Sequence, residues 1–307
     1  MTRVFVTGGT GLVGGQVVAR LRERGDDVLV LSRSSQAAKK LPEGTRLITG
    51  DPTVAGPWLD ELATCDGVIH LAGESIAGQR WSDEFKKKVL DSRAVSTRLI
   101  AERMARTPEK TRVLVNASAV GYYGLFDDNP TEFIETDLPG SGFLADVCVA
   151  WERATEPASS AGVRVAIIRV GFVLAKQGGS LQQIARPFRF FLGGPVASGQ
   201  QWVSWIHIDD IANLFIFALD RDDTRGPING TSPYPVTNWG FSKAIASTLH
   251  RPCWLRAPKL GLKLLMGEMS ELATQGQRAM PTRATELGFD YRYPLLDDAL
   301  KEALGKA

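Results

Sequence analysis

The sequence predicts an α/β protein: a right-handed, doubly wound parallel sheet with a smaller C-terminal mixed α/β region that covers the substrate side. Three observations predict it. From Arg3 to Arg169 short apolar runs alternate with helix-patterned segments, the signature of parallel strands joined by crossover helices. The first apolar run passes without a spacer into a glycine-rich turn and then a helix opening near Leu12. Beyond Gly171 the alternation stops, and Gly178-Gly179, Gly193-Gly194-Pro195 and Gly199 cut the chain into the short pieces expected over a pocket.

The stretch Val4 to Gly14 carries two overlapping spacings, Gly9-x-Gly11-x-x-Gly14 and Gly8-x-x-Gly11-x-x-Gly14. One glycine turns the chain, one lets backbone approach a pyrophosphate and one packs helix on strand. The amides at the helix start, those of Leu12 and Val13, then face the anion. Glycines also make ordinary turns, but here a strand precedes the loop, a helical pattern from Gln16 to Arg24 follows it, and Asp27 to Leu31 supplies the next buried strand. That strand ends in Ser32-Arg33-Ser34-Ser35. A chain selecting NAD carries an acid here for the ribose 2′-hydroxyl, whereas hydroxyls plus an arginine suit a 2′-phosphate, so NADP is favoured over a merely polar loop.

Arg46 to Asp51 and Gly67 to Gly73 read as the third and fourth strands, the fourth ending in a small-residue turn at Leu71-Ala72-Gly73 that lets a ligand come close. His70 lies inside the apolar run and reads as an interior histidine, whereas Glu74 stands at the carboxyl end of the strand, where open α/β sheets bind ligands. Ser82 caps a helix reaching about Arg106, with Lys86-Lys87-Lys88 as its solvated face and Arg93 placed either to reach a phosphate or to pair with an acid. Arg112 to Ala117 delivers Ser118 to Gly124 onto the same edge, a helix is expected from Phe143 to Ala161, and Arg164 to Arg169 is the sixth strand. Asp209 reads as the cap of a helix running to Leu219. From Pro252 the spacing of Leu260, Leu264, Leu265, Met269 and Leu272 predicts helix packed over the core, and Leu295 to Leu304 is amphipathic.

With 307 residues and 44% hydrophobic content, the chain can bury one large core or a main domain with a smaller partner. A net charge of +2, with both signs interspersed, offers no broad field for nucleic acid or an anionic membrane, so any attraction to an anion is local. Cys65, Cys148 and Cys253 lack metal-type spacing and read as reduced thiols, so no metal is expected. No apolar run reaches spanning length and the first strand leaves no room for a leader, which makes the expected location cytoplasmic.

Thr7 to Gly14, Leu71-Ala72-Gly73-Glu74, Arg80-Trp81, Ser118-Ala119-Val120-Gly121-Tyr122-Tyr123-Gly124, Arg169-Val170-Gly171, Trp205 to Asp210 and Asn229-Gly230 together resemble an extended, atypical short-chain dehydrogenase/reductase. Gly267-Glu268, Gly276-Gln277-Arg278, Pro281, Gly288-Phe289 and Ala299-Leu300 resemble the epimerase-like subgroup that carries a C-terminal domain of unknown function. The resemblance covers essentially the whole chain and implies a Rossmann domain over residues 1–250, with an insert at 172–206 on the substrate side, followed by a subgroup-specific domain at 251–307. It implies NADP(H) held by Gly8, Gly11, Leu12, Val13, Gly14, Ser32, Arg33, Leu71, Ala72, Lys88, Arg93 and Leu174, with Gly73 and Ala117 lining the same edge. It also implies a tyrosine and a lysine in the helix after Ser118, the lysine lowering the pKa of the tyrosine that passes the proton. Phe143 to Glu152 contains neither. Glu74, Tyr123 and His207 are the ranked substitutes as acid or base, with Ser118 orienting the substrate. The expected function is an NADP(H)-dependent oxidoreductase or epimerase-like enzyme acting on a small or nucleotide-linked carbonyl or hydroxyl compound. The alternative is an NADP(H)-binding regulatory protein that has lost catalysis. A homodimer seam would use the helices at 82–106 and 143–161.

Overall fold

The computed structural model describes residues 2–305, so the outer limits of the two expected domains, residue 1 and residues 306–307, lie outside the described residues. In chain order the first half runs β1 (Arg3–Thr7), α1 (Leu12–Glu23), β2 (Asp27–Ser32), β3 (Arg46–Thr49), α2 (Trp58–Leu62), β4 (Gly67–His70), α3 (Asp83–Ala105), β5 (Val113–Ala119), β6 (Glu132–Phe133), α4 (Phe143–Arg153), α5 (Glu156–Ser160) and β7 (Arg164–Val170). The second half runs β8 (Phe172–Leu174), α6 (Leu181–Arg189), β9 (Trp202–Val203), β10 (Trp205–His207), α7 (Ile208–Asp220), β11 (Gly226–Gly230), β12 (Val236–Thr237), α8 (Asn238–Leu249), α9 (Lys259–Met266), α10 (Glu271–Thr274), β13 (Arg278–Ala279), α11 (Thr282–Glu286) and α12 (Leu296–Leu304).

The main sheet has seven strands in the order β11-β7-β5-β4-β1-β2-β3, all paired in parallel. From β1 the chain builds outward through β2 and β3, then returns to add β4, β5, β7 and β11 on the other side. The strand order therefore reverses between β1 and β4, and open sheets bind ligands at such a switch point, beyond the carboxyl ends of the strands. Alternate residues serve opposite faces: Val4 and Val6 pack with Val17, Val18 and Leu21 of α1 and Phe215 of α7, while Phe5 packs with Ile100 and Met104 of α3. Both faces are thus dry, which is why these strands are continuous apolar runs.

Three expectations are corrected. The helix expected over 143–161 is two, because the chain pauses after Arg153 and restarts with Pro157 in the first turn of α5, where a missing N–H costs nothing. The cap of α7 is His207 rather than Asp209: its Nδ1 accepts the Asp209 amide at 3.2 Å. Helix α9 does not pack over the core. Leu260, Leu264 and Leu265 are 70–75% exposed, and the helix buries no residue. By contrast α12 buries Ala299, Leu300, Ala303 and Leu304 beside α6 and α8, in a cluster that also takes Leu174 and Trp205.

A candidate dinucleotide site at the switch point

The glycine loop joins β1 to α1 at the switch point, and its four glycines do different work. Gly8 has φ +70, and a Cβ there would sit 2.7 Å from the Leu71 carbonyl carbon. A Cβ on Gly14 would fall 2.2 Å from the Gly8 oxygen, and one on Gly9 would strike Val30. These three are glycines because backbone and core are already there. Gly11 is different. It is exposed, and its absent side chain would approach only the Gly8 oxygen, at 3.2 Å, with open space beyond. Gly11 also begins α1 with no capping side chain and no acid in the first turn, so the amides of Leu12 and Val13 are left facing outward with the positive end of the helix dipole.

Thr7 fixes the opposite wall. Its Oγ1 accepts from the amides of Leu71 at 3.3 Å and Ala72 at 3.2 Å, and it meets His70 Nδ1 at 2.5 Å. His70 Nε2 in turn meets Ser96 Oγ at 3.0 Å. The ring is fully buried and spent on both sides, and burial, seconded by the Arg93 charge, pushes its pKa down to about 3. The interior reading of His70 is the one the geometry gives.

At the end of β2, Ser32 Oγ accepts the Ser34 amide at 3.3 Å and Ser34 Oγ accepts that of Gln36 at 3.2 Å, so the loop is shaped by its own hydroxyls. Arg33 is exposed there and has no carboxylate within ion-pair distance among the described residues. No acid occupies the strand end.

Arg93 projects from α3 to the edge between β4 and β5. Its guanidinium lies 5.0 Å from the Trp151 ring and so close to Gly73 that a Cβ there would be 3.1 Å from its central carbon. Its hydrogen bonds go only to its own helix, to Val89 O at 3.1 Å and Ser92 Oγ at 3.4 Å. Burial lowers its pKa, and no carboxylate pairs with it. Beside it the buried indole N–H of Trp151 has no acceptor. An unneutralised guanidinium, an orphan N–H and an uncapped helix start are the donors an anionic dinucleotide requires, and an open glycine lets it approach them, so the residues present fit that group.

The remaining candidates separate into open and spent groups. Glu74 is open: its amide donates to Ser92 Oγ at 3.0 Å, and its carboxylate stands 3.3 Å from Lys88 Nζ, which makes Lys88 an ion-pair partner as well as a cleft cation. Ser118 is spent. Its hydroxyl donates to Glu152 Oε1 at 2.7 Å, and Glu152 is held by Arg169 through two bonds of 2.9 Å. Tyr123 is fully buried, with its hydroxyl among Asn229 Oδ1 at 2.8 Å, the Ile134 carbonyl at 3.0 Å and the donating Arg169 Nη1 at 2.9 Å. Burial pushes its pKa up to about 12. His207 caps α7, meets Glu302 through Nε2 at 2.8 Å and lies against the tilted Tyr293 ring with centroids 4.1 Å apart. Ala117 and Leu174 are buried core side chains, leaving only their backbones to face a ligand.

Sequence reasoning passed over Glu152, the acid that occupies Ser118, and Glu135, whose Oε1 accepts the Asn229 and Arg283 amides at 2.9 and 3.1 Å. A charged residue at a core register needs a partner, and that was the available signal. It also took Gly178-Gly179 only as chain breakers. They lie against Leu12, where a Cβ on Gly179 would come within 3.0 Å of its side chain, so the loop after β8 roofs the glycine turn. Among the described residues no group of His, Cys, Asp or Glu could hold a metal ion, and no helix is long and apolar enough to cross a membrane.

Comparison with known proteins places this geometry. Residues 4–229 match the model of the NAD dependent epimerase/dehydratase family, and residues 257–303 match a domain of unknown function, DUF1731. The chain is 40% identical over 300 residues to the epimerase family protein SDR39U1 homolog, chloroplastic, of Arabidopsis thaliana, covering 97% of this chain and 85% of that protein. Its fold matches the crystal structure of human epimerase family protein SDR39U1 with NADPH, at 32% identity and a TM-score of 0.86 over 98% of each chain. A nucleoside-diphosphate sugar epimerase from Corynebacterium glutamicum is 33% identical with a TM-score of 0.79, covering 99% of this chain and 58% of that longer one.

Proposed function

Because the chain belongs to the NAD dependent epimerase/dehydratase family, we propose that it binds NADP(H) at the β1/β4 switch point and acts as an oxidoreductase or epimerase-like enzyme on a small or nucleotide-linked carbonyl or hydroxyl compound. The observation that carries the reading is the open half of the sheet edge: a glycine loop whose one exposed glycine, Gly11, borders an uncapped helix start, with Arg33 and no acid at the end of β2. Gly11, Leu12 and Val13 would hold the pyrophosphate, Ser32 and Arg33 the 2′-phosphate, and Leu71 to Gly73 the opposite wall. When bound, the nicotinamide supplies the hydride acceptor or donor.

The chain itself must supply proton transfer and orientation. Ser118, Tyr123 and His207 are committed to protein partners, and α4 has no tyrosine or lysine. Glu74, at the carboxyl end of β4 with Lys88 3.3 Å away, is the acid or base left open to the cleft. Arg93 would hold an anionic oxygen over the same edge. Lys88 is 60% exposed, so water screens its pair with Glu74 and the carboxylate is held only weakly.

A second reading, an NADP(H)-binding regulatory protein without turnover, is favoured by one observation: the hydroxyl of Ser118 is already occupied by Glu152. NADPH fluorescence titration separates the readings in two steps. Gly11→Val should weaken NADPH binding by about a hundredfold or more, about 2.7 kcal/mol, with only a small drop in melting temperature from the poorer helix cap and the 3.2 Å approach to the Gly8 oxygen. Undiminished affinity would refute the site. Wild-type protein is then screened for NADPH oxidation against sugar nucleotides, quinones and aldehydes. Turnover that Glu74→Gln lowers on the order of 10²–10⁴-fold supports the enzyme reading, and tight NADPH binding with no turnover across the panel supports the second.

A further inference from the structure

Away from the switch point the two signs are not interspersed as the overall charge of +2 suggests: two segments contain no acidic residue at all, 157–208 and 224–267. The fold brings them together. Ala197 N bonds Ala257 O at 2.9 Å, Ala257 N bonds Pro195 O at 2.9 Å, and β9 pairs with β12. The result is a surface on which large apolar side chains stand in solvent: Phe190 at 64% exposure, Phe191 at 54%, Leu192 at 55%, Trp254 at 67% and Leu255 at 43%. Five cations stand in the same two segments, Arg186 and Arg189 on α6, Lys243 on α8, and Arg251 and Arg256 flanking Trp254 and Leu255 in the chain, and none has a carboxylate within ion-pair distance among the described residues. Lys259 at the margin, by comparison, is held by Asp127 at 2.6 Å. Arg251 lies 4.6 Å from the Phe191 ring, and Lys243 and Arg256 lie 5.4 and 5.8 Å from that of Trp239.

The display is built rather than left over. Phe191 has φ +62, a left-handed conformation that is strained for a bulky residue, and the strain holds an aromatic ring outward, where it gains nothing from the core. Its carbonyl accepts the Trp254 indole N–H at 2.9 Å, while the Gly193 carbonyl accepts the amides of Trp254 at 3.1 Å and Leu255 at 3.2 Å. The two loops therefore clamp one another and present their rings as a rigid pair.

We propose that the Phe190–Leu192 and Trp254–Leu255 loops dock the protein peripherally on an anionic phospholipid bilayer. Aromatic rings and leucines enter the boundary between headgroups and acyl chains, and guanidinium and ammonium groups around them meet the lipid phosphates. The charge pattern selects this occupant. A second copy joined through the same face by a two-fold axis would press five unpaired cations against their own images. A single-stranded nucleic acid would find cations and the rings of Phe190, Phe191 and Trp254, but it would leave Leu192 and Leu255 in water, where an acyl-chain boundary takes them in.

Flotation with the 307-residue protein tests the proposal, using phosphatidylcholine vesicles with and without phosphatidylglycerol. Wild-type protein should float only with the anionic vesicles and should be released by added salt. Arg251→Gln with Arg256→Gln should reduce partitioning about thirtyfold, at about 1 kcal/mol for each cation near the surface. Phe190→Ser with Trp254→Ser should abolish it. Phe190, Trp254 and Arg256 are exposed and Arg251 is half-buried, and unaltered NADPH titration and melting would show that the variants are folded. Failure of the wild type to float with anionic vesicles at low salt would overturn the proposal. So would equal flotation of the variants, a dimer that the Trp254 variant dissolves, or retention on single-stranded DNA in place of vesicles.

Discussion

Two halves of one sheet edge differ in how their polar groups are spent. Around β1, β2 and β4 donors are left for a ligand: the amides at the start of α1, the Arg33 guanidinium, and Arg93, bonded only within its own helix, beside an indole N–H without an acceptor. Around β5 and β7 everything is claimed. Ser118, Glu152, Arg169, Tyr123 and Asn229 form one buried chain of hydrogen bonds, and Tyr122 lies with its ring 3.5 Å from the Arg169 guanidinium. Burial works against the Arg169 charge, but the hydrogen bonds and opposite charge of Glu152 outweigh it and raise its pKa overall. The lesson is that a hydroxyl delivered to the ligand edge of a sheet is a catalytic group only if nothing inside the protein has already taken it. The open half can hold an anion; the closed half holds the protein together.

Cutting the closed half should do the most damage. Arg169→Met leaves Glu152 as a buried carboxylate without its cation and should cost about 3–5 kcal/mol in denaturant unfolding, while Arg169→Met with Glu152→Leu should recover most of it. NADPH affinity should be unchanged in whichever variant folds. A loss of affinity larger than the loss of stability would show that the two halves are one unit.

His70 sits at the seam between β1 and β4 and is held neutral. Its pKa is depressed to about 3 in the folded protein against about 6.5 unfolded, so the unfolded chain takes up a proton first. The stability contributed by the neutral ring is therefore fully present above pH 6.5 and is lost as the pH falls toward 3. Between pH 6.5 and 5 the loss should approach about 2 kcal/mol, since each pH unit is worth at most about 1.4 kcal/mol for one group. A thermal-melt series in which His70→Gln shows the same pH slope as wild type would contradict this.

The smallest expected effect sharpens the open half. Arg33→Ala should reduce the preference for NADPH over NADH by about tenfold, about 1.4 kcal/mol, and leave the melting temperature alone. An unchanged preference would move 2′-phosphate recognition away from the end of β2.

Much of this was legible in the chain. The strand, glycine turn and helix from Val4 to Glu23 sit where the spacing put them, Ser82 caps α3 by accepting the Phe85 amide at 3.2 Å, and α12 follows the amphipathic run at the C-terminus. These features depend on residues within one or two turns of each other, which periodicity and capping chemistry report directly. Family membership was legible for the same reason, since its motifs are local. Other assignments were not. Asp209 carries the right residue type for a helix cap, yet the imidazole two positions earlier reached its amide first. Leu260, Leu264 and Leu265 have helical spacing, but spacing says nothing about whether a helix meets a core.

What the sequence determined by itself was therefore the order of elements, the glycine turn and the absence of an acid after β2, all of them set by neighbours along the chain. The state of each polar side chain was set by folding. Ser118 is 34 residues from Glu152, and Tyr123 is 106 from Asn229. The acid-free segments likewise vanish into a net charge of +2 until folding lays one against the other. A polar group's chemistry depends on which partner arrives within 3 Å and how much water is left, and both are properties of packing that no local pattern encodes.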